Sequence, residues 1–293
     1  MNAPVGRIVK ARDMQLQGAY RDIPALRGIP QTWKGCIQMG CTSSLIITAF
    51  QRPHLLKWGL YSLAKQAMPG GFETIVLNDG LPDETEAICH QYEQKLNLKY
   101  VFTGQRNLDG DIKWRVPGYA INIGARLSRG KILIISCAEM FHLNDCIAQL
   151  TFPLLSNPKL LGIPIARDDH DSSFLNNLVA TNGAFDYSSF YNYYPVLNTS
   201  LPFLTSVSRE EYFAIGGYDE DFTGIGYDDN DLMLRLTNNG CAYFQTAAET
   251  IHLYHERIWY TRVNSPETIY NRDLFYERQN QVVRNQNRQW GKL

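Results

Sequence analysis

Ser44-Leu-Ile-Ile-Thr-Ala-Phe50, closed by Gln51-Arg-Pro53, sets the pattern for this chain. The run is apolar without alternation, which suits a strand buried on both faces. From Leu55 to Gln66, Leu55, Leu56, Leu60 and Leu63 recur at helical spacing. Phe72-Glu-Thr-Ile-Val-Leu77 reads as a second strand, ended by Asn78-Asp-Gly80, and Glu84 to Leu96 as a second helix. Lys99-Tyr-Val-Phe102 is a third strand, Pro117 to Leu127 a short helix, and Lys131-Ile-Leu-Ile-Ile-Ser136 a fourth strand. Strands alternating with helices predict an α/β fold built on a doubly wound, mostly parallel sheet. Ligands of such sheets bind beyond the carboxyl ends of the strands. The polar clusters Thr48–Arg52, Asn78–Asp83 and Cys137–Glu139 each follow a strand, so all three should meet in one crevice.

The remainder reads as appendages to that sheet. Residues 1–42 lack periodicity and are expected to form an N-terminal arm. Residues 166–203 are rich in Asp, Asn, Ser and aromatics. Phe203–Val207 then reads as a strand, Glu210–Ile215 as a short helix, and Ala242–Thr246 and Thr250–Tyr254 as two short strands. From Thr268 the chain is polar and helix-compatible, with Arg272, Arg278, Arg284 and Arg288 spread through it. The expected organisation is one large domain over 43–262 and a helical tail over 263–293. The formal net charge of -1 argues against a strongly electrostatic nucleic-acid binder. There is neither a membrane-length apolar run nor a signal-peptide core. The six cysteines include no CxxC pair and read as reduced thiols of a cytoplasmic protein.

A second cluster lies in Gly216-Gly-Tyr-Asp-Glu-Asp-Phe-Thr-Gly-Ile-Gly-Tyr-Asp-Asp-Asn-Asp-Leu-Met-Leu-Arg-Leu236, where Leu232, Met233 and Leu236 take up helical spacing. Asp228, Asp229 and Asp231 therefore fall in the first turn of a helix. Acids there complement the helix dipole and can cap free N–H groups. Three carboxylates within four residues exceed what capping needs, because their repulsion raises the proton affinity of at least one. The segment is thus either an acidic cap or a functional site.

These motifs, in this order, resemble glycosyltransferase family 2. Thr48-Ala-Phe-Gln-Arg52 and Val76-Leu-Asn-Asp-Gly-Leu-Pro-Asp-Glu-Thr85 are similar to its nucleotide-binding start. Ala120-Ile-Asn-Ile-Gly-Ala125 is similar to its A-x-N-x-G helix, and Cys137-Ala-Glu139 stands where it has D-x-D. Ile215-Gly-Gly-Tyr-Asp-Glu220 and Gly226-Tyr-Asp-Asp-Asn-Asp-Leu232 resemble its later acidic segments, the last also resembling the beta-1,4-galactosyltransferases. The resemblance covers about residues 43–260. It implies a GT-A fold, with a nucleotide-binding half over 43–140 and an acceptor half over 141–262.

It also implies an inverting, metal-dependent transfer from a nucleotide-sugar, a UDP-sugar above others, to a saccharide hydroxyl. On the donor side it places Thr48, Ala49, Phe50, Arg52, Asn78, Asp79, Arg115, Asn122, Cys137 and Ala138. Asp79 can accept from a uracil imide or ribose hydroxyl, although Asn-Asp-Gly is a turn signal in its own right. Arg115 and Arg126 are candidates for the pyrophosphate. A divalent metal, Mn2+ or Mg2+, would be held by Glu139 with His255, favoured over His252; either histidine alone could be structural. Cys137 replaces the first acid of the motif, and Cys137–Glu139 could also be only a strand end. Asp168-Asp-His-Asp171 is a rival acidic cluster or a solvated loop. Asp229 is the candidate general base, Asp228 the acceptor-orienting acid, and Asp231 a structural one.

The aromatics of 185–203 would line the acceptor side or pack a long loop. The simplest acceptor is a glycan or lipid-linked saccharide, with peripheral contact at the inner membrane face. A nucleic-acid base is a rarer acceptor, for which stacking aromatics and tail arginines would suit. A nucleotide-sugar or carbohydrate-binding protein without turnover is the rival from another class.

Overall fold

The computed structural model describes residues 41–103, 116–197, 201–257 and 263–293. The arm up to residue 40 and Arg115 lie outside them. The first half forms as the periodicities require: β1 (Ser43–Ala49), α1 (Pro53–Leu63), β2 (Phe72–Asn78), β3 (Leu98–Phe102), α4 (Pro117–Leu127) and β4 (Ile132–Cys137). Pro53 and Pro117 open their helices, where a missing N–H costs nothing. The expected helix over 84–96 is two, α2 (Thr85–His90) and α3 (Glu93–Leu96). Between them Gln91 and Tyr92 bond the carbonyls of Ile88 and Cys89, three residues back, which tightens the chain out of the α-helix.

The second half contributes β5 (Met140–His142), α5 (Cys146–Ser156), β6 (Leu160–Asp168), α6 (Ser173–Ala180), α7 (Ser188–Tyr191), β7 (Leu204–Ser208), α8 (Arg209–Ala214), α9 (Asp228–Asn238), β8 (Ala242–His252) and α10 (Pro266–Arg278). The two short strands expected over 242–254 are one. Opposite its middle the register shifts between Ile163 and Ile165, around Pro164, which has no N–H to give the ladder. The Thr246 hydroxyl bridges that break, donating to Ile163 O (3.1 Å) and accepting from the Ala248 N–H (3.2 Å).

All strands join one eight-stranded sheet, ordered β3-β2-β1-β4-β7-β6-β8-β5. β3-β2-β1-β4 is parallel throughout. β7 runs antiparallel to β4 and β6, and β5 antiparallel to β8, while β6 and β8 are parallel. One core lies between the sheet and α1, α2 and α5; a second lies under α4, α8 and α9. Register fixes the site: Thr48 pairs Cys137 and Ala49 pairs Asn78, so the strand-end clusters of β1, β2 and β4 share one edge. His252, at the end of β8, pairs with both Met140 and Asp168.

Asn122 of α4 ties the two halves together. It is fully buried. Its Oδ1 accepts from the Tyr212 hydroxyl (2.7 Å) and the Tyr218 N–H (2.9 Å). Its Nδ2 donates to Tyr218 O and Glu220 Oε1, each at 2.9 Å. At Gly118, on the same helix, a Cβ would fall 2.2 Å from Tyr218 Cδ1, so only glycine lets α4 approach this closely. Asn122→Ala should therefore cost about 2–3 kcal/mol, the range for buried partners left unsatisfied, read by urea unfolding. A loss under about 0.5 kcal/mol would contradict that role.

Candidate active site

The shared sheet edge opens into a cleft of about 490 Å³. Thr48, Ala49, Phe50, Arg52 and Asp79 line it from β1 and the turn after β2, Cys137, Glu139, His252, His255 and Arg257 form the part termed its floor, and Tyr227, Asp228, Asp229 and Asn230 line it from the start of α9. Leu197, Leu201, Pro202 and Phe203 close it with apolar surface. Of the residues assigned to the donor side, Asn78, Asn122 and Ala138 are not among those lining it. Asn78 is buried and holds the turn after β2: its Oδ1 accepts from the Gly80 N–H (3.1 Å) and its Nδ2 donates to Leu81 O and Asp83 Oδ1 (3.2 Å each). Ala138 is buried, its N–H bonded to Thr48 O (3.1 Å). Arg126 stacks on Trp290 at 3.9 Å and does not line the cleft. Asp79 does reach it; its N–H bonds Ala49 O (2.9 Å) and its Oδ1 accepts from the Thr103 hydroxyl (2.6 Å).

On the floor, Cys137, Glu139 and His252 each offer one ligand atom, all within 4.8 Å of one another. The pairing of β5 with β8 brings this about, reinforced by the Leu253 N–H on Glu139 O (2.8 Å). His252 rather than the favoured His255 belongs to this cluster. His255 stands beside it, ring centroids 5.1 Å apart, with Nδ1 against Glu256 O at 2.7 Å. Burial pushes the Glu139 carboxyl up, but the Arg52 guanidinium bonded to it, with His252 and His255, outweighs that and holds it at about 2. Burial brings the His255 imidazole down to about 4, so it is neutral at pH 7. Burial and the Glu139 charge raise the Cys137 thiol well above its ordinary range.

Asp168, from the rival acidic run, stands behind this floor without lining the cleft: it faces His252 Nδ1 at 3.5 Å and pairs with Arg257. The rest of that run ties the loop before α6 together and to Tyr193 and Tyr254, whose hydroxyl and N–H donate to Asp171 and Asp169 respectively. Asp169 accepts from the N–H groups of Phe174 and Leu175, and Asp171 from Ser173. The aromatics after 185 divide likewise: Phe185, Tyr187, Phe190 and Tyr191 pack against the Phe141–Phe174 cluster, while Phe203 reaches the cleft.

In the same cleft, Asp228 and Asp229 open α9. Burial, and then the neighbouring Asp228 charge, raise the Asp229 carboxyl well above the usual range; a hydrogen bond from the Tyr218 hydroxyl to its Oδ1 (2.8 Å) works the other way. The site thus brings a carboxylate of raised proton affinity into one cleft with a cluster of S, O and N donors. Sequence reasoning gave no role to Tyr218 or Arg257, although it named Asp168 within the rival acidic run. Arg257 acts through a contact with Asp168, 89 residues away, and Tyr218 through a loop contact with Asp229 that periodicity does not signal.

The sequence profile of glycosyl transferase family 2 matches residues 44–207, and that of the N-terminal domain of galactosyltransferase matches residues 187–257. Validoxylamine A glucosyltransferase of Streptomyces hygroscopicus subsp. limoneus is 27% identical over 271 residues, covering 75% of this chain and 56% of the relative. The chondroitin synthase of Escherichia coli is 23% identical over 239 residues, covering 73% of this chain and 34% of the relative. The chain therefore spans about a third to just over half the length of these relatives. GalNAc-T7, solved with UDP, GalNAc and Mn2+, superposes with a TM-score of 0.55 at 15% identity, over 82% of this chain and 50% of that one. The mannosyltransferase PcManGT from Pyrobaculum calidifontis, in complex with GDP-Man and Mn2+, gives 0.53 at 17% identity, over 75% of this chain and 59% of that one. These likenesses show a shared GT-A fold. With the family profile matching residues 44–207, over half of its 293 residues, the chain belongs to glycosyl transferase family 2.

Proposed function

We propose that the protein moves a sugar, with inversion, from a UDP-sugar to a hydroxyl of a saccharide acceptor. The observation that carries this is the placement of Asp229, a carboxylate of raised basicity, in one cleft with Cys137–Glu139–His252. Inversion by a single displacement needs a base on the face opposite the leaving group. In this reading Asp229 takes the acceptor proton, with Tyr218 fixing the orientation of its carboxylate. Asp228 orients acceptor hydroxyls. Asp79 and Thr48 face the nucleoside, and Arg52 supplies positive charge to the diphosphate. Solved neighbours holding UDP and Mn2+ or GDP-Man and Mn2+ support a nucleotide-sugar donor and a divalent ion.

Cys137, Glu139 and His252 fit a divalent ion by donor type and spacing. Such an ion, when bound, supplies positive charge to the leaving diphosphate. The thiol makes the set softer than one with two carboxylates. A nucleic-acid acceptor is less well supported, because tail arginines are engaged by acids: Arg278 and Arg284 with Asp219, and Arg288 with Asp221.

Asp229→Asn should retain UDP binding and lose transfer by about 10²–10⁴-fold, measured as acceptor-dependent UDP release. Undiminished transfer would refute the base assignment. In the wild type, kcat/KM should fall on acidification through a pKa above the ordinary Asp value of about 3.9, since only the deprotonated carboxylate accepts a proton. That acidic limb should be absent from the residual activity of Asp229→Asn. A limb unchanged in the variant would assign it to another group.

Metal binding has its own readout. Titrating Mn2+ against the UDP complex, followed by the paramagnetic resonance of free ion, should show Glu139→Gln weakening affinity at least tenfold. Cys137→Asp should strengthen it, because Mn2+ prefers hard oxygen ligands. Equal affinity in wild type and Glu139→Gln would remove Glu139 from the site.

A further inference from the structure

The wall beside Asp229 contains the most unfavourable backbone position of the cleft. Tyr227, the residue before α9, has φ 68° and ψ -17°. The left-handed region is a genuine outlier for a bulky aromatic residue. Glycine would adopt it freely, and the same loop uses glycine at its other positive-φ positions, Gly224 (67°) and Gly226 (89°).

Strained conformations persist where neighbours over-determine them. Here α10 does so. Asn271, fully buried, donates from Nδ2 to Thr223 O and Gly226 O (2.9 Å for the latter) and accepts the Thr223 N–H on Oδ1 (3.0 Å). The Thr268 hydroxyl donates to Ile225 O (3.2 Å). A Cβ on Gly224 would meet Glu267 Cβ at 2.6 Å, so loop and helix are in close contact. The Tyr227 ring lies against Phe275 of α10, centroids 5.8 Å apart and planes at 40°. It is half-buried and lines the cleft next to Asp228 and Asp229.

A clamped loop could carry glycine at 227 without strain. Instead it holds an aromatic ring at the edge of the cleft, adjoining the proposed base. Aromatic faces pack well against apolar C–H surfaces, and a pyranose ring presents such a face. We propose that Tyr227 is an acceptor-binding residue of this site beside Asp228, stacking on the sugar ring whose hydroxyl Asp229 deprotonates. This rests on the function proposed above and specifies its acceptor side: a pyranose unit with an exposed C–H face.

The test compares the full chain as wild type with Tyr227→Phe, Tyr227→Gly and Tyr227→Asn. The last two keep a residue suited to the left-handed backbone while removing the ring. UDP with Mg2+ serves as the donor-site probe, by calorimetry. Methyl β-D-glucopyranoside, methyl β-D-galactopyranoside, methyl N-acetyl-β-D-glucosaminide and methyl β-D-glucuronide serve as acceptor probes, by saturation-transfer NMR in the presence of UDP and Mg2+. UDP should bind all four proteins within twofold. At least one glycoside should bind wild type and Tyr227→Phe alike, and bind at least fivefold more weakly to whichever of the Gly and Asn variants retains UDP binding. A smaller loss in those variants, an equal loss in Tyr227→Phe, or no glycoside bound to wild type would overturn the proposal. So would loss of UDP binding in both ring-deleted variants, because Tyr227 would then serve to hold the fold. Failure of wild type to bind UDP would overturn the donor assignment; the glycoside comparison, then read in whichever variants keep the wild-type circular dichroism and thermal midpoint, still decides Tyr227.

Discussion

The active wall of the cleft depends on two arginines buried among acids. Arg235 is wholly inaccessible; its Nε donates to Asp231 Oδ2 at 2.7 Å, its Nη1 to Ile215 O at 2.9 Å and its Nη2 to Gly217 O at 2.8 Å. Arg284, from the C-terminal segment, donates to the other Asp231 oxygen at 3.0 Å and pairs with Asp219 at 3.0 Å. Such charges are tolerated in a low-dielectric interior only as mutually compensated partners, and removing one leaves the others uncompensated. The network therefore acts as a unit. It fixes the Gly216–Asp221 turn to α9, and so fixes where Asp228 and Asp229 stand.

That rigidity has a chemical consequence. The acids of α9 differ in fate although they are neighbours in sequence. Asp231 is neutralised by two guanidinium groups, whereas Asp229 meets only a tyrosine hydroxyl and the charge of Asp228. One is built into the frame, and the other keeps the raised proton affinity that the proposed base requires. In the same cleft the Arg52 guanidinium keeps Glu139 ionised against its burial, the form in which a carboxylate attracts a cation. Opposed electrostatic environments thus shift two carboxylates in opposite directions, Asp229 up and Glu139 down, as the proposed roles of proton acceptor and cation ligand require.

Sequence periodicity reached the parallel half of the sheet because its strands are continuous apolar runs between helices that open at Pro53 and Pro117. It did not reach β5, α5 and β6, where Pro153 lies inside the helix and Pro164 interrupts the strand. At the site, the three strand-end clusters and the acidic start of α9 were legible, since strand ends and helix starts are local. The choice between His252 and His255 was not, because it depends on the pairing of β5 with β8. Nor was the role of Asn122, whose family motif suggested the donor but whose amide is used by Tyr218, Tyr212 and Glu220. Of the tail arginines, Arg278, Arg284 and Arg288 are engaged by acids distant in sequence, while Arg272 pairs with its neighbour Asp273.

The central claim is a single displacement with Asp229 opposite the leaving diphosphate. It is tested most directly by NMR of the sugar first released when the protein turns over an α-linked UDP-sugar in water, before mutarotation. The account predicts the β-anomer. Initial release of the α-anomer would contradict it.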